Sequence, residues 1–219
     1  MNNIYKSVTK VIFFGDSICN GQYVSLNKQW VTRIAETLSK VNETMIVTNS
    51  SIDGQTTRQA LEDMPYKIQK HKAEILYIQF GLNDCNYWLT DNGVSRVNIE
   101  SFKYNLIEMI ERGLNSGSKI IFLATNHVTL LNNKLSYASN NSIELNNNKY
   151  NKIIRSVANK FKKKIILIDH EKIFLKEINL KNKKLKDLLL KDKIHLSEEG
   201  HDLYYQTVSN VMLGVDSKL

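Results

Sequence analysis

Residues 11–18 read Val11-Ile12-Phe13-Phe14-Gly15-Asp16-Ser17-Ile18, an apolar run that passes directly into Gly-Asp-Ser. A short apolar run that ends at a glycine is typical of a buried strand in a parallel sheet. Gly15 allows a sharp turn after the strand because it has no Cβ. Ser17 is therefore expected where a strand ends and a helix begins, at the edge of the sheet where open α/β folds bind ligands. A plain turn residue or helix N-cap is the alternative for this serine.

The composition is that of an ordinary globular protein. The chain has 219 residues, 42% hydrophobic and 24% charged, which fits one α/β domain over residues 1–219. No run is apolar enough to span a bilayer, and residues 1–10 lack the pattern of a signal peptide. The two cysteines, Cys19 and Cys85, are too few for a disulfide framework, which predicts a cytoplasmic location. A chain that had lost a signal peptide would look the same.

The net charge of +8 lies largely in the second half of the chain. Such a surface could bind an anionic partner such as nucleic acid, an acidic glycan or anionic lipid. Few aromatic residues interleave with these lysines and arginine is scarce, so a solvated face is favoured and no nucleic-acid partner is expected. The lysines are Lys160, Lys162, Lys163, Lys164, Lys181, Lys183, Lys184, Lys186, Lys191 and Lys193.

Apolar runs alternate with helical periodicities along the whole chain, which predicts a parallel sheet with helices on both faces. Pro65, the only proline, should end or kink the second helix. Segments 82–96 and 126–141 are predicted as polar loops, and segment 169–193 as irregular or partly helical. The predicted strands are residues 11–14, 45–48, 74–80, 119–124 and 165–168, and the main helices are 27–40, 55–65, 99–114, about 142–161 and the segment that starts at Ser197.

A nucleophilic serine needs partners, and the sequence supplies them. A serine hydroxyl requires a base, and the base requires a third group that holds its tautomer. Asp192 and His195 are close enough in sequence for the carboxylate to accept a hydrogen bond from the Nδ1–H group, which leaves Nε2 facing Ser17. Donors for an oxyanion hole follow three strand ends: the N–H of Ser17, the N–H of Gly54 and the side-chain amide of Asn83.

With these motifs the chain resembles the SGNH hydrolase superfamily, the GDSL-type esterases and lipases. Four short blocks carrying Ser, Gly, Asn and His define that family. They stand here in the family's order as Gly15-Asp16-Ser17-Ile18, Gly54, Gly81-Leu82-Asn83-Asp84 and Asp192-Lys193-Ile194-His195. The resemblance implies an α/β fold, a three-layer α/β/α, flavodoxin-like sandwich around a five-stranded parallel sheet, with no cofactor and no metal.

The resemblance also assigns roles to individual residues. Ile18 replaces the leucine of the family's nickname, and Ser51 stands where a glycine is often found. A metal site at residues 195–201 is not expected, because no further cluster of ligands supports it. The implied roles are Ser17 as nucleophile, His195 as base, Asp192 as the acid that orients it, and Ser17, Gly54 and Asn83 as oxyanion donors.

Several other residues near these blocks are expected either to support the site or to line it. Asp16 and Asp84 are expected to hold the site loops by accepting backbone hydrogen bonds. His127 either lines the cleft or is a satisfied loop histidine. Tyr87 and Trp88 could stack against a sugar, cover an acyl chain or cap the core.

The sequence therefore predicts a serine esterase that acts through an acyl-enzyme on a small-molecule or glycan ester. The loops 20–28, 84–97 and 126–141 are polar, which favours a carbohydrate O-acetylesterase over an enzyme for long acyl chains. Two alternatives remain: a lysophospholipase or acyl-thioesterase of the same superfamily, and a non-catalytic module that binds an anionic glycan or nucleic acid. Substrate-binding residues and the oligomeric state are not specified by the sequence.

Overall fold

The computed structural model describes residues 7–131, 142–181 and 183–214. Five strands form one sheet in the order β2-β1-β3-β4-β5, and each neighbouring pair is parallel. The predicted α/β fold with a five-stranded parallel sheet is therefore confirmed. The strands are β1 (Lys10–Gly15), β2 (Ile46–Asn49), β3 (Ile75–Gln79), β4 (Ile120–Ala124) and β5 (Ile165–Ile168).

The strand order places the carboxyl end of β1 at the point where the chain reverses its direction across the sheet. Ligands bind beside such a point in flavodoxin-like folds. The connecting helices are α1 (Ser17–Asn20), α2 (Trp30–Val41), α3 (Thr57–Lys67), α4 (Leu82–Cys85), α5 (Ile99–Asn115), α6 (Ile143–Lys160), α7 (His170–Lys181), α8 (Leu185–Leu188) and α9 (Glu198–Met212).

Each face of the sheet is covered by its own layer of helices. Successive side chains of a strand point to opposite faces, so Val11 and Phe13 join one buried cluster while Ile12 and Phe14 join the other. Helices α2, α7 and α9 pack on the first face, and α3, α5 and α6 pack on the second. The result is a three-layer α/β/α arrangement, and it explains why β1 is apolar at every position from Val11 to Phe14 rather than alternating.

A cluster of buried aromatic rings fixes α2 and α9 against the sheet. Trp30 lies edge-on to Phe13, with ring centroids 5.5 Å apart, and also contacts Tyr77 and Tyr204 at 5.3 and 5.6 Å. The indole N–H of Trp30 donates to the carbonyl of Ile18 at 2.9 Å. This bond satisfies a buried donor and ties the cluster to the turn that follows β1.

Pro65 does not end its helix, because α3 continues to Lys67. A proline inside a helix removes the N–H that would bond to the carbonyl four residues earlier, here that of Leu61. Arg112 of α5 donates to the Leu61 carbonyl at 3.2 Å. The carbonyl therefore keeps a partner, and of the two predicted outcomes the end of the helix at this proline was wrong.

Of two other predicted segments, one contains helix that the sequence did not indicate. Segment 82–96, predicted as a loop, includes α4 and a 3₁₀ turn at Leu89–Asp91, whereas segment 169–193 is partly helical as expected and includes α7 and α8. Arg155 of α6 bonds to Asp169 and Glu171 at 2.7 and 2.5 Å, which anchors the start of α7. Residues 126–131 form no helix or strand, and the rest of the loop predicted at 126–141 lies outside the described residues.

None of the helices in the described part of the chain has the length and apolar character needed to cross a membrane.

Candidate active site

The turn after β1 holds Ser17 at the edge of the sheet. A Cβ on Gly15 would come within 2.5 Å of the Cys19 sulfur and 2.8 Å of the Gln79 carbonyl oxygen, so only glycine fits there. Asp16 caps α1, because its carboxylate accepts the N–H of Ile18 at 3.0 Å. These contacts place Ser17, 7% exposed, at the start of the short helix.

Ser17, His195 and Asp192 form one hydrogen-bonded chain. The Ser17 Oγ lies 2.9 Å from Nε2 of His195, and Nδ1 of His195 lies 2.6 Å from Oδ2 of Asp192. A carboxylate only accepts hydrogen bonds, so Nδ1 carries the proton and Nε2 accepts from the serine hydroxyl. The structure therefore brings together the three residues that the sequence proposed as nucleophile, base and orienting acid.

The loop that carries Asp192 and His195 is held by its own backbone. The second carboxylate oxygen of Asp192 accepts the N–H groups of Ile194 and His195 at 3.0 and 2.9 Å. Partial burial alone would raise the pKa of Asp192, but these bonds and the imidazole outweigh it and lower the pKa below its usual value. Lys193 adopts a left-handed conformation, with φ of 70°, which lets the short loop double back.

A buried polar network supports this loop from behind. His127 lies beneath it, fully buried, with Nε2 2.8 Å from the Ile194 carbonyl and Nδ1 2.9 Å from the Tyr204 hydroxyl. Because a carbonyl can only accept, Nε2 carries the proton and Nδ1 accepts from Tyr204. Gln79 in turn donates to the Tyr204 oxygen at 3.0 Å. Burial lowers the pKa of His127 to about 4, so the ring is neutral near pH 7.

The sequence left two interpretations of His127, a residue that lines the cleft or a loop histidine with satisfied hydrogen bonds. The structure supports the second, since His127 bonds to the loop and does not line the cleft. His201 is likewise a packing residue, because its Nδ1 accepts the backbone N–H of Trp30 at 3.2 Å. Within the described ranges no group of three or more histidine, cysteine or acidic side chains is arranged to hold a metal ion.

Asn83 and Gly54, the other proposed oxyanion donors, are connected through an arginine. The Asn83 amide donates to Oδ2 of Asp16 at 3.3 Å, which leaves its second N–H available. Arg96 donates to the Gly54 carbonyl at 3.1 Å and to Oδ1 of Asn83 at 3.4 Å. Gly54 has φ of 72°, the left-handed region that favours glycine, and an added Cβ would meet nothing within 4 Å.

A small pocket of about 60 Å³ lies between Ser17 and His195. Its walls combine the amides of two asparagines with three aliphatic side chains. Gly54 does not line this pocket but lines a separate hollow. The other lining residues are Leu82, Asn83, Asn86, Ile143 and Ile194.

Two buried carboxylates hold the surrounding loops, as predicted. Asp84 accepts the N–H and hydroxyl of Thr57 at 2.9 and 2.5 Å, which fixes the start of α3. Burial raises the pKa of Asp84 to about 6 and that of Asp16 to about 7, while the hydrogen bonds from Thr57 and Ile18 oppose the shift. These groups position the loops on which Asn83 and Ser17 stand.

Two residues of the site were not anticipated from the sequence. Arg96 was not singled out, because nothing in its own segment indicates contact with both proposed oxyanion loops. Tyr23 lies edge-on to the imidazole of His195, with ring centroids 5.1 Å apart, and is 70% exposed. Of the aromatic pair after the third block, Tyr87 is buried and Trp88 is 62% exposed.

Comparison with known proteins identifies the family of this chain. A model of the GDSL-like lipase/acylhydrolase family matches residues 13–203. An arylesterase from Vibrio mimicus is 25% identical over 114 residues, which cover 52% of this chain and 53% of the arylesterase. The uncharacterized lipoprotein YqeF from Bacillus subtilis (strain 168) is 33% identical over 118 residues, which cover 52% of this chain and 46% of the lipoprotein. The chain thus spans about half the length of the curated relatives it matches.

Solved structures share the fold over nearly the full chain. The acetyl xylan esterase AlAXEase has a TM-score of 0.71 at 20% identity, covering 92% of this chain and 98% of its own. The lipase/acylhydrolase from Enterococcus faecalis has a TM-score of 0.72 at 21% identity, covering 94% and 96%. Axe2, an acetylxylan esterase from Geobacillus stearothermophilus, has a TM-score of 0.73 at 19% identity, covering 92% and 93%. At these identities the likeness establishes the fold alone.

Proposed function

The chain belongs to the GDSL-like lipase/acylhydrolase family, and from this premise we propose that it is a serine esterase that hydrolyses carboxylic esters through an acyl-enzyme. The observation that carries the proposal is the hydrogen-bonded chain of Ser17, His195 and Asp192, with distances of 2.9 and 2.6 Å. Such a chain is the arrangement that turns a serine hydroxyl into a nucleophile.

The first half-reaction forms the acyl-enzyme. Ser17 Oγ attacks the ester carbonyl carbon while Nε2 of His195 takes the hydroxyl proton. Asp192 holds the ring so that Nδ1 keeps its proton and stabilises the imidazolium that results. When the tetrahedral intermediate collapses, the C–O bond of the ester breaks, and His195 gives the proton to the leaving alkoxide. The alcohol departs and the acyl group stays on Ser17.

The second half-reaction releases the acid. A water molecule takes the place of the alcohol, and His195 accepts one of its protons as the hydroxide attacks the acyl carbon. The second tetrahedral intermediate collapses with the bond to Oγ broken, and His195 returns the proton to Ser17. One ester and one water yield one alcohol and one carboxylic acid, and the enzyme is regenerated.

Both intermediates carry a negative oxygen, which we propose is held by three N–H donors. They are the backbone N–H of Ser17, the backbone N–H of Gly54 and the Asn83 amide proton that does not bond to Asp16. Removal of one donor of this kind typically costs ~10²–10³ in turnover.

We further propose that the acyl group is small, with an O-acetylated sugar as the preferred substrate class. The pocket beside Ser17 has a volume of about 60 Å³, and its apolar wall includes Leu82, Ile143 and Ile194. A methyl group suits this space, whereas a long acyl chain would need a channel that the described residues do not form at this position. The polar loops around the site suit a hydroxyl-rich alcohol.

Covalent labelling tests the nucleophile. A fluorophosphonate probe should label the wild-type protein at Ser17 and leave Ser17→Ala unlabelled. Ser39→Ala is the matched control, because this exposed serine of α2 bonds only to the carbonyl of Glu36 among described residues. Equal labelling of wild type and Ser17→Ala, or no labelling of either, would contradict the serine mechanism.

A panel of p-nitrophenyl esters tests the acyl group. Acetate should be hydrolysed with the highest kcat/KM, and the rate should fall steadily through butyrate to octanoate, with Ser17→Ala as the blank. A preference for octanoate would instead favour the lysophospholipase or thioesterase alternative.

A cytoplasmic location and a single domain over residues 1–219 remain part of the proposal. The two cysteines are both free and buried in the structure. Purification from fractionated cells would locate the protein, and one cooperative unfolding transition is expected of one domain.

A further inference from the structure

An open groove of about 730 Å³ lies beside the proposed oxyanion loops. Arg58, Trp88 and Arg96 all line it. Arg96 connects the groove to the reaction centre, because the same guanidinium bonds to the Gly54 carbonyl and to the Asn83 side chain. A substrate whose acyl group reaches Ser17 could therefore place its alcohol part along this groove.

The two arginines of the groove bring positive charge, and neither forms an ion pair with a carboxylate in the described part of the chain. Arg58 is exposed and forms no hydrogen bond or ion pair with any residue the structure describes. Arg96 forms no ion pair within the same ranges, and its recorded bonds use only Nη1. Asp91 also lines the groove and is the one acid among its described lining residues; its carboxylate accepts the N–H of Trp88 at 2.9 Å and the hydroxyl of Thr90 at 3.5 Å and pairs with neither arginine. A guanidinium group without an ion-pair partner is suited to bidentate recognition of a carboxylate.

An exposed aromatic ring lines the same groove. Trp88 is 62% exposed, and the Arg96 guanidinium lies 5.2 Å from its ring centroid. This contact fixes the arginine while most of the indole surface stays free. A flat apolar surface next to cationic donors matches a sugar ring that carries an acid group, since the ring can stack and the acid can pair.

We propose that the groove binds the alcohol part of the ester, and that this part is a saccharide bearing a carboxylate, as in an O-acetylated uronic acid. Arg58 pairs with the carboxylate, Arg96 adds charge at the inner end, and Trp88 stacks on a sugar ring. The proposal rests on the proposed esterase function for the identity of the reaction, but the binding step stands without catalysis.

Binding to the inactive Ser17→Ala protein tests the groove directly. The chain has two tryptophans, and since Trp30 is fully buried, quenching of fluorescence by a ligand reports on Trp88. An oligogalacturonate should quench, while a neutral xylo-oligosaccharide of equal length should bind about tenfold more weakly or worse, as expected for loss of a charged pair. Arg58→Gln should weaken oligogalacturonate binding about tenfold and leave the neutral sugar unchanged.

Lys152→Gln is the matched control, because it removes the same charge from an exposed position on α6. It should leave both ligands unaffected. Equal affinity for the two sugars, or equal weakening by Arg58→Gln and Lys152→Gln, would overturn the groove proposal and show only a general effect of net charge. Hydrolysis of p-nitrophenyl acetate by the wild type distinguishes failure of the esterase proposal from failure of the groove proposal. No hydrolysis would contradict the esterase proposal. Hydrolysis without selective binding of oligogalacturonate would contradict only the groove proposal.

Discussion

Replacing His127 with leucine should weaken both the fold and the reaction. The ring is fully buried and provides the donor for the Ile194 carbonyl at 2.8 Å and the acceptor for the Tyr204 hydroxyl at 2.9 Å. Leaving a buried polar group without its partner costs ~1–3 kcal/mol. Two such groups are affected, so His127→Leu should lower the free energy of unfolding by about 3 kcal/mol at about pH 8.

The size of that loss should depend on pH. The pKa of His127 falls from 6.5 to about 4 in the folded protein because the ring is buried. As the pH falls, the unfolded chain takes up the proton first, so wild-type stability is lost progressively between the two values. At about pH 5 the wild type has lost about 2 kcal/mol through this group alone, which His127→Leu cannot lose. The difference between the two proteins should therefore shrink from about 3 to about 1 kcal/mol.

Urea unfolding of both proteins at about pH 8 and about pH 5 measures this difference, with His71→Leu as the control. His71 is exposed, so its substitution removes a histidine without leaving a buried polar group unpaired. The kcat for p-nitrophenyl acetate should also fall ~10–10²-fold in His127→Leu, because Ile194 precedes His195 and a shifted imidazole transfers protons poorly. A stability difference that is equal at both pH values would refute the buried neutral histidine, and an unchanged kcat would refute its positioning role.

Three further changes have defined outcomes. Asp192→Asn should reduce kcat about 10⁴-fold with the fold intact by circular dichroism, because an amide can stabilise the wrong tautomer of His195; a loss below tenfold would contradict the assigned acid. Arg96→Ala should lower kcat for p-nitrophenyl acetate about tenfold with little change in KM, since the proposed oxyanion loops lose their shared donor; a change in KM alone would argue against positioning. Gly200→Ala should lower the midpoint of thermal unfolding, because its Cβ would lie 2.2 Å from the carbonyl oxygen of Leu188 and overpacking costs ~1–3 kcal/mol; an unchanged midpoint would show that α8 can move away.

The parts of the molecule that could be predicted are those whose physics is local. Apolar runs ending at Gly15 and Gly81 indicated buried parallel strands, and the fold confirms them. Asp192 and His195 are only three residues apart, so the hydrogen bond between their side chains could also be predicted. Contacts between segments that are distant in the chain could not be predicted from such local patterns. The helix continues past Pro65, and the Leu61 carbonyl, which the proline leaves without an N–H, accepts from Arg112 of another helix.

In the candidate site too, local features were predicted and long-range contacts were not. Motif residues at strand ends were predicted because parallel strands deliver their carboxyl ends to one edge of the sheet. Arg96 was missed because its role depends on the relative position of two loops that follow different strands. The support beneath His195 was missed for a similar reason, since His127 acts through the backbone carbonyl of Ile194 rather than through a recognisable motif.

The bond between Ser17 and His195 joins residues 178 positions apart in the chain. During synthesis the hydroxyl leaves the ribosome long before the imidazole that must meet it, so a nascent chain has to wait in an inactive form. Contacts between residues this far apart in sequence tend to slow folding. Appearance of ester hydrolysis after dilution from denaturant would thus report when the loop that carries His195 has docked beside β1, which other probes of folding do not measure directly.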